Sequence, residues 1–149
     1  MNKIKNIWYI FGPLFLGLIV SFLIKDNIDY QYLVQPKFAP PGYLFGIAWS
    51  ILYLLMGISF YLYKKNGEDN KLDKIYYIQL FLNLIWPLIF FLLKFRFTAT
   101  VEIILLDLVV LYMLIKFFKQ YRPSFYLNIP YFLWLLFATY LSYSIYILN

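Results

Sequence analysis

Two acidic residues, Glu102 and Asp107, interrupt a run of apolar residues and are the first side chains to test for chemistry. On a helix they stand about 140° apart around the axis, so they cannot act as a paired acid and base on one face. Each costs at least about 2–3 kcal/mol inside a membrane. Glu102 lies towards the segment end that follows Arg96, and Asp107 lies deeper. Asp107 reads equally as a hydrogen-bonded structural acid or as a functional one. The chain has no Cys and no His. That excludes thiol nucleophiles, disulfides, Cys/His zinc sites and a Ser-His-Asp triad, and no metal is expected. There is no Gly-rich phosphate loop and no nucleophile beside a base.

A different constellation is aromatic. Phe45, Trp49, Tyr53 and Met56 are spaced four, four and three, and so share one helix face. Such a stripe is either ordinary packing or one wall of a flat pocket, where ring faces suit planar ligands. Gln79, Asn83, Pro87 and Phe90 follow a second face. An amide in lipid must face protein or a cavity, which turns Asn83 inward, as an interhelical hydrogen bond or a ligand contact. Pro87 removes the amide that would bond the Asn83 carbonyl and should kink the helix, opening room in the bundle. Trp134, Ala138 and Ser142 form a third row at spacing four. Small residues at that interval allow close approach of a helix or a flat ligand.

The elements that carry these rows must span a bilayer. Of 149 residues, 64% are hydrophobic and only 13% charged, too apolar for a water-soluble core of this size. The expected fold is an all-α membrane protein, a single domain of five transmembrane helices at about 7–24, 43–63, 75–93, 98–118 and 124–148. The runs are continuous rather than alternating, which argues against a β-barrel. Most links are short. Residues 25–42 form the exception, with Pro36, Pro40 and Pro41, and read as a lid over a pocket; Pro41 suits the first turn of the second helix. The first segment lacks a small-residue cleavage site and reads as a retained helix rather than a signal peptide. Net charge is +6. The bases flank the apolar runs and form no nucleic-acid patch, so topology explains them. Nine lie on the side of the N-terminus and four on the other, which predicts a cytoplasmic N-terminus and an outward-facing lid.

Four stretches together resemble the TspO/MBR family, the tryptophan-rich sensory or translocator proteins, also known as peripheral-type benzodiazepine receptors. They are QPKFAPPGYLFGIAW (35–49), LFLNLIWPLIFF (80–91), ATVEIILL (99–106) and IPYFLWLLFATYLSYSIYILN (129–149). The resemblance covers nearly the whole chain and implies a five-helix bundle with a pocket closed by the first loop. It implies a membrane receptor or carrier for porphyrin-type tetrapyrroles, with protoporphyrin IX or a haem-like molecule as ligand and no required cofactor. Members are often homodimers in the membrane, and many bind isoquinoline carboxamide or benzodiazepine ligands. Carried over, the ligand-binding residues would be Tyr30, Pro40, Trp49, Tyr53, Asn83, Trp86, Phe90, Trp134 and Ala138, with the ligand held between Trp49 and Trp134. Two other readings stand beside it. Some bacterial relatives are reported to degrade protoporphyrin under light, which would make Trp49 and Trp134 the candidates for catalysis. A sensory protein without transport would use the same pocket. A bacterial cell membrane is the expected location. Phe38 stands where many relatives have Trp, Gln35 where Lys is frequent, Glu102 where Asp is usual, and Ser142 where Asn is frequent. No Lys or Arg follows Arg122, so the cholesterol-recognition pattern is missing.

Overall fold

The computed structural model describes residues 2–149. Five long helices follow one another: α1 (Lys3–Ile24), α2 (Tyr43–Asn66), α3 (Asn70–Pro87), α4 (Arg96–Gln120) and α5 (Arg122–Leu148), with no strand among the described residues. Local signals set their ends. The Asn2 side chain accepts from the Ile4 amide at 2.8 Å and starts α1. Asp69 accepts from the Lys71 and Leu72 amides and starts α3. Pro123 occupies the first turn of α5, where its missing N–H is harmless. Pro41 falls just before α2 rather than within it, with Gly42 at the cap and the Pro41 carbonyl accepting from Leu44.

Four of the helices, α1, α2, α3 and α5, are long and apolar enough to cross a membrane. α4 has 25 residues, about 37 Å of helix, and carries Glu102 and Asp107. Large apolar side chains such as Phe15, Phe22, Ile51, Phe81 and Leu108 are exposed around the outside. That surface belongs in hydrocarbon, so the molecule is an all-α integral membrane bundle.

α4 packs along α5 and α3, α1 packs along α2, and α2 also meets α5. Away from the long loop the interior is solid. Phe60 stacks on Tyr76 with ring centroids 3.9 Å apart. Polar groups join helices there: Ser124 donates to the Ser59 carbonyl at 2.6 Å, and the Asn128 amide donates to the Ser59 hydroxyl at 2.7 Å. Inside lipid such bonds replace the water that the groups would otherwise bind.

α1 and α2 meet backbone to backbone at Gly57. A β-carbon there would lie 1.9 Å from the Ile10 carbonyl oxygen and 2.8 Å from that of Tyr9. Pro13 lacks the amide that would have bonded the Tyr9 carbonyl in a regular helix. The two features match: a bare glycine backbone meets the stretch where α1 has a spare acceptor.

At the end away from the long loop, Asp69 ties three helices together. Its carboxylate accepts from Gln120 of α4, lies 3.4 Å from Lys116 Nζ, and caps α3. Its backbone amide donates to the Tyr63 hydroxyl of α2 at 2.7 Å. The Gln120 bond, then the two backbone amides and Lys116, hold the Asp69 carboxyl down at about 2 from the usual 3.8. A depressed folded value means the stabilisation is complete above the unfolded pKa and fades as pH falls through the folded one. Thermal stability should therefore drop between about pH 4 and pH 2, and Asp69→Asn should flatten that part of the profile. An unchanged profile in the variant would refute the assignment.

Candidate ligand pocket beneath the long loop

The loop between α1 and α2 is fastened at several points. Arg96, at the start of α4, donates from one guanidinium nitrogen to both Asp29 oxygens at 2.8 Å, and Lys94 stands 3.6 Å from the same carboxylate. Lys94 adopts φ 59°, the left-handed conformation that ends the preceding turn and lets α4 begin directly after it. Arg96 also donates to the Phe90 carbonyl at 3.1 Å and lies over the Phe90 ring at 4.8 Å, so one side chain joins loop, α4 and pocket wall. Further along, the Asn149 carboxamide pairs with both backbone groups of Val34 at 3.0 Å. Tyr140 donates to the Lys37 carbonyl at 2.7 Å. Within the loop, Tyr30 is buried and donates to the Pro40 carbonyl at 2.7 Å, while Gln35 braces the Tyr30 carbonyl at 2.9 Å. Burial pushes the Tyr30 phenol up, which keeps it a donor.

Under this loop lies a cavity of about 380 Å³. That is within the range of small-molecule sites. Tyr30, Trp49, Tyr53, Asn83, Trp86, Phe90 and Ala138 all line it. α3 does not simply kink at Pro87: it continues as a wider π turn, Leu88–Leu92, whose Phe90 turns into the cavity and stacks on Trp86 at 4.8 Å. Pro87 also lines the space, in keeping with a proline that makes room. No Lys, Arg, Asp or Glu lines the cavity.

Its polar floor is a chain of hydrogen bonds across three helices. Tyr53 donates to Asn83 Oδ1 at 2.5 Å, Asn83 Nδ2 donates to the Tyr131 hydroxyl at 2.8 Å, and Tyr131 donates to Gln79 Oε1 at 2.8 Å. Gln79 Nε2 ends the chain on Met56 Sδ at 3.4 Å. Each member polarises the next in a low-dielectric interior. The chain fixes the directions of the Tyr53 hydroxyl and the Asn83 amide, the two members that face the cavity.

Two expected residues stand elsewhere. Pro40 supplies only its carbonyl, to Tyr30. Trp134 does not line the cavity: its ring meets Trp49 edge-on, with centroids 6.5 Å apart at 87°, and also touches Phe45. Those rings are in mutual contact, so no flat slot exists between Trp49 and Trp134; Trp134 supports the wall from behind. Phe38 is exposed, adopts φ 70°, and is also outside the cavity. Asp107 accepts from Thr139 at 2.6 Å and so serves the α4–α5 contact, while both Glu102 carboxyl oxygens are buried without a partner. Neither acid lines the cavity. Tyr131 and Gln79 were not anticipated as part of the floor. Gln79 was legible only as a member of the Asn83 face, four residues before it, and Tyr131 only as a polar group within an apolar helix.

The sequence profile of the TspO/MBR family matches residues 9–148. The chain belongs to the TspO/MBR family. It is 35% identical to the tryptophan-rich protein TspO of Archaeoglobus fulgidus, over 100% of this chain and 99% of the relative. Similarity extends to eukaryotes: it is 34% identical to a translocator protein homolog of Schizosaccharomyces pombe over 97% of this chain and 93% of that one. With the human translocator protein it shares 31% identity over 78% of this chain and 72% of the relative. Within this TspO/MBR chain two of the departures noted from the sequence have structural roles. Gln35 braces the loop through Tyr30 rather than through a charge, and Ser142 bonds Thr100 of α4 at 3.0 Å.

Proposed function

We propose that this TspO/MBR protein is a membrane receptor or carrier for planar aromatic ligands of the tetrapyrrole class. The observation that carries this reading is a cavity walled by Trp49, Tyr53, Trp86 and Phe90, free of charged side chains and capped by a fastened loop. Ring faces attract a planar π system, and the Asn83–Tyr53 floor offers it fixed polar contacts. The names of relatives, a tryptophan-rich sensory protein and a translocator protein among them, fit a sensory or transport role. A porphyrin would place its apolar face inside and leave its carboxylates at the mouth, because an unpaired carboxylate in such a site is costly.

Titrating the purified protein with protoporphyrin IX while following tryptophan emission tests the reading. Saturable quenching is expected. Trp49→Ala should weaken binding about tenfold, the loss of about 1.4 kcal/mol of ring contact. Trp134→Ala, one layer back, should cost no more than about threefold. Absence of saturable quenching, or a larger loss from Trp134 than from Trp49, would count against the site as drawn.

A further inference from the structure

We propose that the cavity is loaded sideways from the bilayer, through a gap between the loop-side ends of α1 and α2, with Gly46 as its threshold. This rests on reading the cavity as a ligand site. Its motivation is that the cavity wall is not closed. Most of its lining is buried or half-buried, but Leu18 and Ser21 of α1, and Tyr43, Gly46 and Ser50 of α2, line it while being exposed on the outside of the bundle, as do Ile28 and Gly42 of the adjoining loop. Tyr43, Gly46 and Ser50 are spaced three and four and so form one edge of α2. Leu18 and Ser21 form the facing edge of α1.

α1 and α2 are packed tightly along the part of this edge that lies away from the loop. Their backbones touch at Gly57 and Ile10, and near Gly17 a β-carbon would lie 2.4 Å from the Tyr53 ring. On the loop side there is open space: a β-carbon on Gly46 would meet nothing within 4 Å. The opening is at membrane depth. Ser50 is about 10 Å along the helix from Tyr43, at 1.5 Å per residue. The outer faces beside it, Phe15, Phe22, Ile47 and Ile51, are exposed and apolar. Ser50 satisfies its hydroxyl on its own helix, donating to the Gly46 carbonyl at 2.7 Å, and so presents little polarity to a passing apolar solute.

The alternative route, through the loop, is latched by the Asp29–Arg96 pair, the Asn149–Val34 amide pair and the Tyr140–Lys37 bond. A solute from water would have to break these. One dissolved in lipid would pass between the two edges that line the cavity and are exposed on the outside of the bundle. The class of ligand is therefore a flat, uncharged aromatic molecule that partitions into the membrane, or the apolar edge of a larger one.

The open space at Gly46 supplies the test, since a side chain there fills the gap without meeting the fold. Wild type and Gly46→Leu would be reconstituted in phosphatidylcholine nanodiscs and mixed with vesicles carrying pyrene. The Trp49-dependent quenching, taken as the part lost in Trp49→Phe, is followed with time. Gly46→Leu should slow both association and dissociation about tenfold or more, while affinity moves less than about threefold, the mark of a gate rather than a contact. Unlatching the loop with Asp29→Asn, Tyr140→Phe and Asn149→Ala together should leave both rates within about twofold. Ser50→Leu, on the same edge, replaces Gly46→Leu should that variant aggregate. Unchanged rates in the threshold variant, faster uptake on unlatching, or no Trp49-dependent quenching in wild type would each overturn the proposal. Should pyrene load through the gap while protoporphyrin IX fails to bind, the ligand assignment falls and the route stands.

Discussion

Gly57→Ala is expected to lower the thermal midpoint of the purified protein by about 6–12 °C. The reason is geometric. One added methyl would sit 1.9 Å from the Ile10 carbonyl oxygen, and the neighbour is backbone rather than the end of a flexible side chain. The helices must separate or slide. Overpacking costs about 1–3 kcal/mol and more where the obstacle is rigid; at about 3 kcal/mol and 2–4 °C per kcal/mol this gives the stated shift. Gly57→Leu should prevent recovery of folded protein altogether. Gly46→Ala is the internal control, because open space surrounds its position. It should not lower the midpoint and should raise it by up to about 2–4 °C, because the added alanine favours the helix by about 1 kcal/mol. A Gly57→Ala midpoint within about 2 °C of wild type would show that α1 and α2 are not locked there.

Asn83→Leu should give the second-largest effect, on both stability and ligand affinity. The amide is acceptor to Tyr53 and donor to Tyr131, at 2.5 and 2.8 Å. Removing it orphans the Tyr53 hydroxyl, whereas Tyr131 keeps Gln79. A stranded buried hydroxyl costs about 1–3 kcal/mol. Interhelical hydrogen bonds in membranes average nearer 0.6 kcal/mol, so a total of about 2 kcal/mol is expected. Adding Tyr53→Phe removes the stranded group and should recover part of the loss. The midpoints of the wild type, both single variants and the double variant form a cycle that reads the coupling directly. Coupling below about 0.3 kcal/mol would mean that the chain of bonds is not a unit.

The helices were legible because each is a continuous apolar run with charges or prolines at its limits. The runs understate the ends: α1 begins at Lys3 and α4 at Arg96, since polar residues join a helix whose middle is apolar. The aromatic stripe of α2 and the inward Asn83 were legible from period alone, because lipid leaves an amide only one useful direction. Trp134 shows the limit of spacing. It shares a row with Ala138 and Ser142, which do line the cavity, yet its long side chain leans away and ends behind Trp49. Row membership fixes where a Cα points and not where a ring of that size arrives. The latch was illegible for another reason. Asp29 and Arg96 are 67 residues apart, and Val34 and Asn149 are 115 apart. No local pattern couples such pairs; only the assembled bundle does.

The wide turn at Leu88–Leu92 holds one residue more than an α-helical path between the same two points would need. It acts as a phase shifter. Its side chains are thereby rotated by up to roughly one residue's worth of helix, about 100°, relative to a regular continuation of α3. Point substitutions on either side leave that offset intact. Loss or gain of a single residue within the turn would instead swing Arg96 off Asp29 and turn Phe90 out of the wall, although neither side chain had changed. Chain length in this short stretch thus matters to the latch and to the cavity wall together.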